Sequence, residues 1–173
     1  VHASKETNYI VGVPEEYGGS GDSSVPTALG VIYAIQATNQ AVWRNDALSG
    51  KSYSIQGLGK VGFKVAERLL QEGAKIFVSN TSEPALTAIA ERAESLPGTL
   101  EIVSPNEIYR VDADVFVPCA VGAIINDETI EQLQVKAVVG AANNQLLKDH
   151  YGELLQQKGI LYAPDFIANA GGM

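Results

Sequence analysis

Residues 51–83 read KSYSIQ (51–56), GLGKVG (57–62), FKVAERLLQEGA (63–74) and KIFVSNTSE (75–83). A predicted strand, a glycine turn, a predicted helix and a second strand follow one another without interruption. The glycines Gly57, Gly59 and Gly62 have GxGxxG spacing. Alone that pattern is weak, but between a predicted strand and a predicted helix it is a dinucleotide-binding fingerprint. The first glycine permits the tight turn, the second admits a pyrophosphate, and the third lets helix pack on strand. The helix then offers its N-terminal amides to the phosphates.

The same alternation continues outward. Strands are expected near 52–56, 75–79, 100–103, 114–117, 136–139 and 160–162, and most are short apolar runs, as for strands buried on both faces. Helices are expected over 26–44, 60–72, 83–95, 105–109, 127–133 and 145–158. In the second of these Val61, Val65, Leu69 and Leu70 share a face, and Gly73 stops the helix. Ser104–Pro105–Asn106–Glu107 reads as a capping box with proline at the first helical position. Such alternation implies right-handed crossovers, so the expected fold class is α/β, a doubly wound parallel sheet (Rossmann fold) of about six strands. Residues 1–24 form an opening segment and loop with a strand near Ile10–Val13, and residues 25–173 form the dinucleotide-binding domain.

The composition narrows the function. The chain has 173 residues, 46% hydrophobic and 18% charged, enough apolar material for a core and too little charge for disorder. A net charge of −8 leaves no basic stripe for nucleic acid. Cys119 is the single cysteine, which excludes a disulfide and a cysteine-rich metal site, and no metal is expected. His2 and His150 are far apart and read as surface residues. No apolar run approaches membrane-spanning length and no leader is seen, so no membrane is expected and a cytoplasmic location is the default. The chain begins at Val1 and its one methionine is Met173, which suggests a piece excised from a longer polypeptide.

A ligand belongs at the carboxyl ends of the strands. Those ends carry Gly57–Gly62, Asn80–Thr81, Cys119–Gly122, Gly140–Asn144 and Ala163–Asn169. Asn143 and Asn144 either cap the next helix or meet a ribose or nicotinamide. Cys119, after a strand and a proline, reads as a small buried residue beside a cofactor rather than a nucleophile. Asn80 stands 18 residues past Gly62, where an NAD site usually has Asp or Glu, and no arginine follows closely to hold a 2′-phosphate. The choice between NAD and NADP stays open.

The segments GGSGDSSVPTALGV, GLGKVG, PCAVGAIIND, VVGAANNQL and YAPDFIANAGG, in that order, resemble the cofactor domain of the amino acid dehydrogenases acting on glutamate, leucine, phenylalanine and valine, nearest the leucine and phenylalanine branch. AANNQL with PDFIANAGG is far more specific than the glycine turn. The resemblance implies reversible oxidative deamination of an L-amino acid to a 2-oxo acid and ammonia. It places Thr27 at the nicotinamide carboxamide and Gly57, Gly59, Lys60, Val61 and Gly62 around the pyrophosphate. Asn80, with Thr81 beside it, falls at the adenosine ribose. Cys119, Ala120 and Val121 line the cleft, Asn143 lies at the nicotinamide ribose, and Asn169 faces the substrate. The family's catalytic lysines and aspartate belong to an N-terminal domain with a GGGK-type motif that this sequence lacks. No catalytic residue is therefore assigned, and Lys60 and Lys64 are not substitutes. A homo-oligomer is compatible with the resemblance, though the sequence does not specify its order. Two other readings compete: a dinucleotide-binding module without catalysis, and a methyltransferase-like adenosyl site, which leaves AANNQL and NAGG unexplained.

Overall fold

A computed structural model describes residues 13, 15–17 and 21–172. The expected strand near Ile10–Val13 falls outside the described residues apart from Val13, as does His2. Six strands, β1 (Ser52–Gln56), β2 (Lys75–Ser79), β3 (Thr99–Ile102), β4 (Val115–Pro118), β5 (Ala137–Val138) and β6 (Leu161–Tyr162), form one sheet in the order β3-β2-β1-β4-β5-β6. Every pairing is parallel. The order reverses beside β1, so the loops after β1 and β4 flank the point where a doubly wound sheet opens a crevice.

Side-chain alternation along the strands divides the core. Tyr53, Ile55, Ile76, Val78, Val115 and Val117 face one layer with α1 (Ser24–Trp43), α2 (Lys60–Gln71) and α3 (Glu83–Ala93). Phe77, Phe116 and Val138 face the other, packed with Ile108, Ile125, Tyr151 and Leu155. In α2 the buried residues Val65, Ala66, Leu69 and Leu70 recur at helical spacing, and this stripe rather than intrinsic propensity holds the helix down. Gly73, at φ +78, ends it in a left-handed turn. Asn39 of α1 donates from Nδ2 to the Tyr53 hydroxyl at 3.0 Å and to the Ala47 carbonyl at 3.0 Å, fastening the first helix to the central strand. No helix among the described residues is long and apolar enough to cross a membrane.

Three of the expected helices differ. Residues 105–109 give only a 3-10 turn, Ile108–Arg110. There the Ser104 hydroxyl donates to the Glu107 carboxylate at 2.6 Å instead of accepting the N–H at the third position, so only half of the capping box forms. Residues 127–133 are turns. Asn126 Oδ1 accepts from the amides of Glu128 and Thr129, each at 3.1 Å, and the Thr129 hydroxyl bonds the Ile124 carbonyl, so side chains take the local bonds a helix would need. The helix expected over 145–158 is confined to α4 (His150–Gln157), with the exposed His150 as its first residue. Residues 145–147 pair instead with the loop after β4, through Ile125 N to Gln145 O and Leu147 N to Ile125 O, both 3.0 Å. The chain closes with a short helix α5 (Asp165–Ala168) and a 3-10 turn, Ala170–Gly172, both packed on α1.

Candidate cofactor site

Because all six strands are parallel, the loops following them gather along one edge of the sheet. Gly57 has φ +97, a conformation that glycine adopts without penalty, and its N–H donates to Ser79 O at 2.8 Å. This is the tight turn that takes the chain from β1 into α2. A Cβ on Gly57 would stand 2.7 Å from the Ala120 Cβ, and one on Gly62 would overlap the Gly57 carbonyl and lie 2.9 Å from the Cys119 Cβ. Both glycines therefore serve the packing of the turn against the loop after β4. Gly59 is different. It is exposed, its φ of −70 suits any residue, and a Cβ there would meet nothing within 4 Å. Its open face adjoins the first turn of α2, where the amides of Lys60, Val61 and Gly62 have no carbonyl within the helix to bond. Those amides and the helix dipole suit an anion.

The neighbouring loops continue the edge. Asn80 follows β2, and its Oδ1 accepts from Leu58 N, inside the glycine turn, at 3.2 Å. An N–H can only donate, so this bond fixes the amide's orientation and leaves Nδ2 as the group presented outward. Thr81 is exposed. Across the turn, Cys119 N donates to Gln56 O at 2.7 Å, while Ala120 and Val121 are exposed, Val121 at 64%. Burial pushes the Cys119 thiol up to about 11, offset in part by a hydrogen bond from the Ala141 backbone. At neutral pH it is an inert thiol, not a nucleophile. A Cβ on Gly122 would lie 2.7 Å from Asn143 O, so this loop abuts the one after β5.

Neither Asn143 nor Asn144 caps the next helix, since α4 begins at His150. Asn144 is left-handed, at φ 52, and its N–H donates to Asp165 Oδ2 at 2.8 Å. Asn143 is exposed and its Oδ1 accepts from Asn169 Nδ2 at 2.7 Å; Asn169 Nδ2 also donates to Ala141 O at 3.1 Å. The turn after Asn169 brings Gly172 against Thr27. The Thr27 hydroxyl donates to Ser23 O at 2.7 Å, which leaves its lone pairs to accept from an amide.

Charge at the glycine turn comes from two lysines. Lys60 Nζ lies 3.8 Å from Asp22 Oδ2, an exposed pair too weak to hold it against a phosphate. Hydrogen bonds from Ser24, with Lys60 and Lys64 nearby, hold the Asp22 carboxyl below the usual range. Lys64 Nζ donates to Ser24 Oγ at 2.9 Å and to Lys60 O at 3.2 Å, and so ties α2 to α1. The Leu58–Asn80 bond, Asp22, Asp165 and Gln145 were not legible as site features in the sequence. The Leu58–Asn80 and Asn144–Asp165 bonds join residues 22 and 21 positions apart, and Asp22 pairs with Lys60. Gln145 bonds only the nearby Gly140 and Ala142 carbonyls, but no local pattern marks it as a site residue.

The profile of the Glutamate/Leucine/Phenylalanine/Valine dehydrogenase family matches residues 18–173. The chain is 61% identical over its whole length to phenylalanine dehydrogenase from Lysinibacillus sphaericus, of which it covers 45%. It is 44% identical over 169 residues, 98% of the chain, to leucine dehydrogenase from Thermoactinomyces intermedius, again covering 45% of that protein. The crystal structure of L-tryptophan dehydrogenase from Nostoc punctiforme superposes with a TM-score of 0.81 at 37% identity, over 86% of this chain and 43% of that one. The chain thus spans under half the length of the relatives it matches, and it belongs to the glutamate, leucine, phenylalanine and valine dehydrogenase family.

Proposed function

We propose that this chain is the nicotinamide-dinucleotide-binding part of a longer L-amino acid dehydrogenase. The observation that carries the reading is the unbroken edge of close contacts from Gly57–Gly62 through Cys119–Gly122 and Asn143–Asn169 to Thr27, with the open face of Gly59 at its phosphate end. The residues present fit a dinucleotide. The first-turn amides of α2 and Lys60 would meet the pyrophosphate, Asn80 with Thr81 the adenosine ribose, and Asn143 Nδ2 the nicotinamide ribose. Ala120 and Val121 would line the cleft, and Thr27 would accept from the carboxamide. When bound, the dinucleotide supplies hydride chemistry. Asn169 spends its amide hydrogens on Asn143 and Ala141, so its Oδ1 is what remains to face a substrate. The names of the relatives support a large apolar L-amino acid, deaminated reversibly to a 2-oxo acid, as substrate of the longer protein. Self-association and a cytoplasmic location belong to the same proposal, as does the division into an opening segment, 1–24, and a cofactor domain, 25–173.

Lys60 and Lys64 stand at the phosphate end of this edge, and the GGGK-type motif that the resemblance associates with catalysis does not occur in this sequence. Hydride transfer without a group to position the substrate carboxyl and move its proton loses orders of magnitude in rate. Purified chain supplied with NAD or NADP and phenylalanine, leucine, valine or glutamate should therefore give no cofactor reduction while still binding NADH. Robust turnover would show that these 173 residues contain a catalytic group.

A further inference from the structure

Gln145 is fully buried, yet it lies in a loop and not in a helix or strand. Its Nε2 donates to Gly140 O and to Ala142 O, each at 3.0 Å. Carbonyl oxygens only accept, so the amide nitrogen must face them and both of its hydrogens are spent on the loop after β5. The backbone of the same segment reaches the other way. Ala123 N donates to Asn144 O at 2.7 Å, and Ile125 N to Gln145 O at 3.0 Å. Ala142 N, between the two carbonyls that Gln145 holds, donates to Pro118 O at 2.9 Å. One side chain therefore closes the 140–145 loop on itself at the place where that loop is joined to the segment after β4.

We propose that Gln145 is a positioning residue for the nicotinamide half of the cofactor, an inference that rests on the dinucleotide reading above. It touches no ligand. It sets the curvature of residues 140–144, and through them the height of Asn143, whose Oδ1 is held by Asn169 and whose Nδ2 is left outward. Ala141, between the two clamped carbonyls, accepts from Asn169. Loosening the clamp shifts the acceptor for Asn169 together with Asn143, so the ribose contact and the substrate-facing amide move as one. The adenosine half would meet Gly57–Gly62 and Asn80, whereas both side-chain hydrogen bonds of Gln145 go to the loop after β5.

Gln145→Met keeps nearly the same volume and removes both donors, stranding two buried carbonyls. Gln145→Glu keeps the shape and puts acceptor oxygens against them. The full chain, its two variants and the probes NADH and 5′-AMP make the test. Both variants should bind NADH about tenfold or more weakly, since ångström-scale misplacement of a contact is that costly, with 5′-AMP affinity within about twofold of the parent. Hydrogen exchange, read without ligand, should show lost protection at Ala123, Ile125 and Ala142 but not at Tyr53, Ile55 or Val78. Equal weakening of NADH and 5′-AMP, unchanged NADH affinity, unaltered exchange in the loop, or variants too unstable to fold would each overturn the proposal. Failure of the parent chain to bind either nucleotide, with the exchange pattern as expected, would instead overturn the dinucleotide reading and leave the clamp standing.

Discussion

Replacing Gly59 with valine is expected to abolish dinucleotide binding while leaving the stability of the fold almost unchanged. The two halves of that result have separate causes. Gly59 sits at the N-cap of α2 with φ −70 and ψ −171, extended backbone that valine adopts freely, and its Cβ would meet no protein atom within 4 Å. The fold therefore loses only the modest difference in capping preference, below about 1 kcal/mol. The space the branched side chain enters, however, is the face through which a pyrophosphate reaches the amides of Lys60 and Val61. Losing that approach removes the charge-assisted bonds and the helix-terminus field together, and a drop of about a hundredfold or more in NADH affinity follows. Gly62→Ala gives the contrasting control: its Cβ overlaps the Gly57 carbonyl, so the turn itself must shift and thermal stability should fall with binding. If Gly59→Val binds NADH as well as the parent, the phosphates lie elsewhere.

The second large effect concerns Asn80. Its Oδ1 is committed to Leu58 N at 3.2 Å, so what it presents to an adenosine ribose is an uncharged NH2. Such a group donates to a hydroxyl or to a phosphate oxygen and rejects neither. Thr81 and Ser82, both exposed, add hydroxyl donors beside it. The reading is weak discrimination, with NADP bound comparably to NAD or better. In Asn80→Asp one carboxylate oxygen keeps the Leu58 bond and the other becomes an anionic acceptor for the ribose hydroxyls, worth about 1.5–3 kcal/mol. The same charge repels a 2′-phosphate. NADH should tighten and NADPH weaken together, moving the ratio of their dissociation constants by about tenfold or more. A ratio that stays put would show that Asn80 does not face the ribose.

The contrast between Asn80 and Gln145 shows how far the sequence could be read. The unit from β1 to β2 was legible almost to the residue, because the glycine turn fixes where β1 ends and α2 begins and the helix carries a clean apolar stripe. The identity of the position after β2 was equally visible, since a fixed topology dictates what stands there. What Asn80 bonds to was not, because Leu58 lies 22 positions away. Beyond β4 the local signals failed for a different reason. Asn126 and Thr129 satisfy backbone groups with their side chains, so a segment with helical spacing stays in turns. Residues 145–149, read as the start of a helix, belong to a loop that Gln145 and the backbone of the preceding segment hold in place. The Asn143–Asn169 bond spans 26 positions, and nothing in the local pattern of either segment encodes it.

The dinucleotide reading requires one edge of this sheet to receive a nicotinamide dinucleotide along its whole length. Titration of the 15N-labelled chain with NADH, followed residue by residue by nuclear magnetic resonance, tests it most directly. Saturable shifts are expected at Gly59, Lys60, Val61, Asn80, Ala120, Val121, Asn143 and Thr27, with residues at the opposite ends of the strands, such as Lys51, Asp112 and Lys136, unmoved. Absence of saturable shifts, or shifts centred on those opposite ends, would contradict it.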